Sequence, residues 1–283
     1  MTSAHPPLPA KPGAFSWLNR RRTRAGIAST TGMLLLAALG LLAPRLVVAG
    51  LPEVVAASKP SVVAVGTYDP LASPRFSFRG TGFVVGDGQT LVTNVHVLPS
   101  PGTSPEPRLA MQVTGPRVGG AVAGEIRTLT VVAEDREHDL VLLRFEGRPL
   151  PTLPLAPADR AREGQAVGLI GYPLGGLLGF SHITHSGIIS SITPIVLPPA
   201  HASQLDAAAV ARMRRGVFDI LQLDASAYPG NSGGPLLDAD SGEVLGVINM
   251  VLVKSTRESA LSDPSGISYA IPVRYLHALL KKR

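Results

Sequence analysis

The chain has 283 residues, enough for one large or two modest domains, and its lack of cysteine excludes disulfides and cysteine-based metal sites. Its 26 Lys plus Arg outweigh 20 Asp plus Glu for a formal net charge of +6. That excess sits in residues 1–50, where Lys11, Arg20, Arg21, Arg22, Arg24 and Arg45 meet no acid, so the rest of the chain is neutral and not the basic body expected of a nucleic-acid binder.

Residues 1–24 are Pro-rich, polar and basic, and read as disordered. The uncharged run 25–43 follows, closed by Pro44; as a helix it spans about 28 Å, enough for a hydrocarbon core. Basic residues ahead of it predict a cytoplasmic N-terminus and an exported body. A cleaved signal is the competing reading, because the strongly apolar part covers only 33–43 and Val47-Val48-Ala49 could precede cleavage at Gly50. The long polar leader and Arg45 favour the uncleaved anchor. Arg21-Arg22 lacks the apolar residues that a twin-arginine export signal carries after the pair, and an organelle transit peptide ranks third.

From Leu51 the pattern changes. Short runs rich in Val, Ile, Leu and Thr recur at 62–65, 82–85, 91–95, 109–113, 127–133 and 140–145, separated by Gly, Pro and Asp. This spacing predicts a β-barrel or sandwich over 51–148. Four prolines between Pro149 and Pro157 forbid a central strand, so 149–165 reads as an interdomain linker. A second β domain follows over 166–272, and 273–283 reads as a helix with basic residues at its C-terminal end.

Three motifs carry chemistry. Leu91-Val92-Thr93-Asn94-Val95-His96 ends an apolar strand on a histidine, where a general base can be held rigidly. His138-Asp139-Leu140-Val141-Leu142-Leu143 puts an acid at the start of a buried strand, where it can orient an imidazole. Gly230-Asn231-Ser232-Gly233-Gly234-Pro235 sets a serine among glycines on a tight turn, exposing Oγ and letting the amides of Gly230 and Ser232 converge on an oxyanion. The order His, Asp, Ser is the chymotrypsin order, not that of subtilisins or α/β-hydrolases. Asp135 is the rival acid and is expected in a solvated loop ahead of the strand.

With Gly80-Thr81-Gly82-Phe83, Gly171-Tyr172-Pro173-Leu174-Gly175, Ser186-Gly187-Ile188-Ile189, Gly246-Val247-Ile248-Asn249 and Tyr269-Ala270-Ile271-Pro272, the chain resembles the HtrA (Deg) branch of the trypsin-like serine proteases over about residues 51–276. The resemblance implies an all-β fold of two antiparallel β-barrels with the active site between them, closed by the C-terminal helix. It also implies an endopeptidase using His96, Asp139 and Ser232, with protein or peptide substrates, unfolded ones among them, and no cofactor. HtrA proteases are often trimers, which makes a homo-oligomer an expectation. The sequence stops 11 residues after Pro272, so the PDZ domain common in this family is expected to be lacking.

By the same resemblance, Ser226, Ala227, Tyr228, Val247, Asn249 and Met250 line the primary pocket. No buried carboxylate is expected there, since Asp224 falls two residues ahead of the pocket floor and reads as structural; the pocket should take small or medium aliphatic residues rather than Lys or Arg. Asn231 cannot form the ion pair by which digestive relatives are activated, so ordering of the loops near 175–185 and 225–230 is the expected switch. An insertion at 194–216 carries a helix signature from Ser203 to Gly216, read first as a surface helix. His182 and His185, three apart, fall on opposite faces of a strand, so no metal site is expected. A protease-fold binding or chaperone-like module with an idle triad is the alternative function.

Overall fold

The structure is a computed structural model and describes residues 50–100, 108–118, 121–173, 180–195, 218–249 and 267–282. The candidate anchor at 25–43, the helix expected between Ser203 and Gly216, and Met250 lie outside the described residues. Among the described residues, no helix is long and apolar enough to cross a membrane.

Helix α1 (Leu51–Ser58) starts after Gly50 with Pro52 in its first turn, where a missing N–H costs nothing, and buries Val54. A short 3-10 turn (Lys59–Ser61) leads into β1 (Val62–Tyr68). Strands β2 (Phe76–Val85), β3 (Thr90–Asn94), β4 (Arg108–Val118), β5 (Ala121–Thr128), β6 (Thr130–Asp135) and β7 (Leu140–Arg144) complete an antiparallel sheet in the order β5-β4-β1-β2-β3-β7-β6. The second sheet uses β8 (Ala166–Gly171), β9 (Ile183–Ile195), β10 (Phe218–Asp224), β11 (Pro235–Asp238), β12 (Val244–Asn249) and β13 (Ile267–Pro272), and closes into a barrel. Helix α2 (Val273–Leu280) follows.

Two antiparallel β-barrels were expected; the second closes by hydrogen bonding and the first is a half-barrel sheet. The first sheet has edges at β5 and β6, which are continuous in the chain through Leu129 but share no ladder. Leu129 N–H instead donates to Leu109 O at 2.9 Å, so the corner belongs to β4 while β6 departs to pair with β7. The sheet is rolled into a half-barrel and left open at that corner.

The period-2 alternation of strands distributes the apolar residues over three cores. On the first sheet Val63, Val65, Val84, Leu91, Met111, Val141 and Leu143 pack with Phe145 on one face. Their neighbours Val62, Ala64, Phe83, Val85, Val92, Leu140 and Leu142 face the other way, into a cluster shared with Ile170, Tyr172, Leu237, Val247 and Ile271 of the second sheet. The barrel interior is filled by Val167, Leu169, Ile189, Leu221, Leu223, Leu236, Leu245 and Ile248. Fully burying each such side chain is worth about 1.5–3 kcal/mol, so the shared cluster helps hold the two sheets against each other.

The Pro-rich stretch crosses between the sheets by backbone bonds. Leu150 and Leu153 N–H donate to Gly88 and Val84 O, while Val244 N–H donates to Pro154 O and Ala156 N–H to Val244 O. Helix α2 closes the shared cluster with Leu276 and Leu279, and His277 Nε2 donates to Ala156 O at 2.8 Å.

Candidate active site

Strand β3 is buried along its length and ends at Asn94, after which a 3-10 turn (Val95–Val97) swings His96 off the sheet edge. Asp139 closes the turn ahead of β7 with φ of 55°, the left-handed region that L-residues enter at a cost. Five hydrogen bonds hold it there. Its carbonyl accepts from Val95 N–H at 3.2 Å and Asn94 Nδ2 at 2.9 Å. Its carboxylate accepts from His96 N–H at 3.0 Å, His96 Nδ1 at 2.5 Å and Asn249 Nδ2 at 2.8 Å. With Nδ1–H donating to the carboxylate, Nε2 is the ring nitrogen left with a lone pair. The imidazole side chain is 25% exposed and the carboxylate 13%, so the pair is shielded yet reachable.

Ser232 sits on a turn that only glycines permit. Gly230 has φ of 106°, and a Cβ there would lie 2.4 Å from Tyr172 O and 3.0 Å from Phe78. Gly233 has φ of 84°, and its Cβ would lie 2.1 Å from Thr93 Oγ1 and 2.2 Å from Thr81 O. The turn is thereby pressed against the strands that carry His96. Thr81 N–H donates to Ser232 O at 2.8 Å and Thr81 Oγ1 to Gly230 O at 2.6 Å. Gly80 shows how near the two halves come: a Cβ there would lie 2.7 Å from Val97 Cγ2 and 3.0 Å from Ser232 O. Of the turn's amides, those of Asn231, Gly233 and Gly234 donate to Tyr228, Ile248 and Asn231 carbonyls. Those of Gly230 and Ser232 donate to no acceptor among the described residues.

The expected pocket residues divide. Ala227 is buried and its N–H donates to Ser268 Oγ, which in turn donates to Ala225 O; Ser226 is half-buried beside it. The Tyr228 ring lies 5.5 Å from that of His185. Val247 and Asn249 both lie on β12. They share the face of β12 turned toward the first sheet, so Val247 is fully buried in the shared cluster and Asn249, 2% exposed, gives its amide to Asp139. Asp224, at the end of β10, is exposed, and Ser226, Ala227 and Tyr228 bring no acid with them.

Asp135 is not in a solvated loop. It ends β6, pairs with Leu140, and holds His138, accepting from its N–H at 3.2 Å and bonding its Nδ1 at 2.8 Å. That imidazole stacks on Tyr275 with ring centroids 3.9 Å apart, so the rival acid is committed to a second histidine. His182 and His185 do not converge: His182 Nε2 contacts Tyr172 OH at 2.7 Å and Val62 O at 2.8 Å. Burial lowers the pKa of both imidazoles and raises that of the Tyr172 phenol. Among the described residues there is no cluster of three or more potential metal ligands.

Comparison with known proteins bears on this geometry. The family described as a trypsin-like peptidase domain matches residues 80–247. The mitochondrial serine protease HTRA2 of Bos taurus is 32% identical over 81% of this chain and 42% of its own length. Its namesake from Drosophila willistoni is 30% identical over 74% of this chain and 39% of its own. A protein of Halomonas elongata named probable periplasmic serine endoprotease DegP-like is 29% identical over 69% of this chain and 32% of its own. The chain thus spans less than half the length of these relatives. The crystal structure of the serine endoprotease from Yersinia pestis superposes with a TM-score of 0.55 at 24% identity, over 83% of this chain and 66% of that one, and shares the fold.

Proposed function

The chain belongs to the trypsin-like peptidase family, and from that premise we propose that it is a serine endopeptidase of HtrA type using His96, Asp139 and Ser232. His96 Nε2 takes the proton of Ser232 Oγ as that oxygen attacks the peptide carbonyl, and returns it to the leaving amine. Water, activated by the same nitrogen, then hydrolyses the acyl-enzyme. Asp139 holds the tautomer and balances the imidazolium. The amides of Gly230 and Ser232 take up the negative oxygen, each worth about 3 kcal/mol in the transition state.

The observation that carries this reading is the bond from His96 Nδ1 to Asp139 at 2.5 Å, on a turn that Gly80 holds against the Ser232 backbone. Labelling with a fluorophosphonate, lost in Ser232→Ala, is its test.

We place the protease body on the extracytoplasmic side, tethered by residues 25–43, with proteins, unfolded ones among them, as substrates and with assembly into a homo-oligomer. The charge asymmetry around the apolar run supports the orientation. A C-terminal tag reached by protease only after the outer barriers open is the expected result; a mature N-terminus at Gly50 would replace the anchor by a cleaved signal.

A further inference from the structure

Arg79 lies directly before Gly80, in the strand that touches both halves of the candidate site. Along β1 and β2 the register runs Val65 to Gly80 and then Gly66 to Phe78, so Arg79 is the extra residue of a β-bulge. Opposite the bulge, Gly66 is pressed so close that a Cβ would lie 2.1 Å from Ser77 O. Bulges redirect a side chain that the regular pleat would send elsewhere. Here the redirected guanidinium reaches the turn that bears His96: Nε donates to Val97 O at 2.6 Å and a terminal nitrogen to Leu98 O at 2.7 Å.

Those two carbonyls need a partner from outside. They end a 3-10 turn and precede Pro99, where no ladder continues, and the turn's own closing bond runs from Leu98 N–H to Val95 O. Asp139 fixes the turn from one side through Val95 N–H, His96 N–H and His96 Nδ1. Arg79 fixes it from the other. Two residues along the same strand, Thr81 N–H binds Ser232 O. One short segment, Arg79 to Thr81, thus touches the backbone on both sides of the reacting pair.

We infer that Arg79 is a positioning residue: it sets the His96 turn against the Ser232 turn and so governs proton transfer between them, without touching substrate. The inference rests on the proposed serine-protease chemistry. A planar guanidinium spans two successive carbonyls, whereas a lysine ammonium or a glutamine amide satisfies them poorly. Misplacement of a general base by about 1 Å costs on the order of a hundredfold.

The test uses the full chain and its Arg79→Gln and Arg79→Lys variants, assayed well below their unfolding midpoints. Fluorophosphonate labelling and turnover of one peptide are measured for each. Labelling rate and kcat should fall about ten- to a hundredfold in Arg79→Gln and less in Arg79→Lys, with KM within about twofold of the parent. A lost substrate contact would raise KM instead, and a merely structural role would lower the midpoint while leaving both rates intact; either result overturns the inference. If Arg79→Gln does not fold, Arg79→Lys is judged by the same split. A parent chain that is not labelled at Ser232 would remove the proposed function itself, whereas a labelled parent with an equally fast Arg79→Gln removes only the role of Arg79.

Discussion

Asn249 Nδ2 donates to Asp139 Oδ2 at 2.8 Å, joining β12 of the closed barrel to the acid that holds His96 in the other sheet. The same oxygen accepts from His96 Nδ1, so the amide and the imidazole share it. Asn249 thereby fixes which way the carboxylate faces. A hydrogen bond to a charged group is worth about 1.5–3 kcal/mol. Asn249→Ala should lower kcat about ten- to a hundredfold and leave KM within about threefold. Steady-state kinetics on one peptide decides it; unchanged kcat would mean that His96 alone orients Asp139.

Two glycines with the same left-handed backbone should respond differently. Gly233→Ala puts a methyl 2.1 Å from Thr93 Oγ1 and 2.2 Å from Thr81 O, in the packed seam beneath Ser232. Loss of activity and destabilisation by more than about 3 kcal/mol are expected. Gly86, φ 63°, has nothing within 4 Å of its missing Cβ, so Gly86→Ala should cost only the backbone strain, about 1–2 kcal/mol, and stay active. Urea unfolding and peptide hydrolysis separate the two cases. Equal effects would contradict the packing described here.

His182 should make stability depend on pH. Burial lowers its pKa, the bond to Val62 O opposes that in part, and Lys59 adds to the lowering. A histidine whose folded pKa lies below its unfolded value binds its proton more tightly when unfolded. Stability is therefore full above the unfolded pKa, about 6.5, and falls as pH drops below it. The unfolding midpoint should decline between about pH 7 and pH 5, and less steeply in His182→Gln. His185, shifted the same way, keeps part of the slope. Parallel slopes for parent and variant would exclude His182 as a source.

His96, just after the end of β3, Asp139, just before β7, and Ser232, among glycines on a turn, were legible in the sequence. Their neighbours were not. Asn249 lies 110 residues from Asp139, and only the register of β12 shows which face its amide takes. Arg79 is aimed by a bulge, an extra residue that leaves no mark in a run of strand-forming side chains. Asp135 read as solvated because it lies several residues ahead of the apolar strand, yet it ends β6 and bonds His138, whose ring stacks on Tyr275. The open corner of the first sheet turns on a single residue, Leu129, whose one backbone bond decides which strand it joins.

The specificity expected of the proposed pocket rests on Ser226, Ala227 and Tyr228. Ser226 and Ala227 are small, Tyr228 is backed by the His185 ring, and Asp224 is exposed at its strand end. A bound Lys or Arg would lose its hydration without a carboxylate in exchange. Peptide-library profiling should give cleavage after Val, Ala, Ile or Leu. A dominant basic preference would mean that an acid from another segment reaches the pocket.

Active-site labelling of the full chain tests the central claim most directly. The intact protein should take up one fluorophosphonate, mapped by mass spectrometry to Ser232, and should cleave casein. Ser232→Ala should lose both, and His96→Ala should fall nearly as far because the three side chains act as a unit. Casein cleavage that persists in Ser232→Ala would contradict the account.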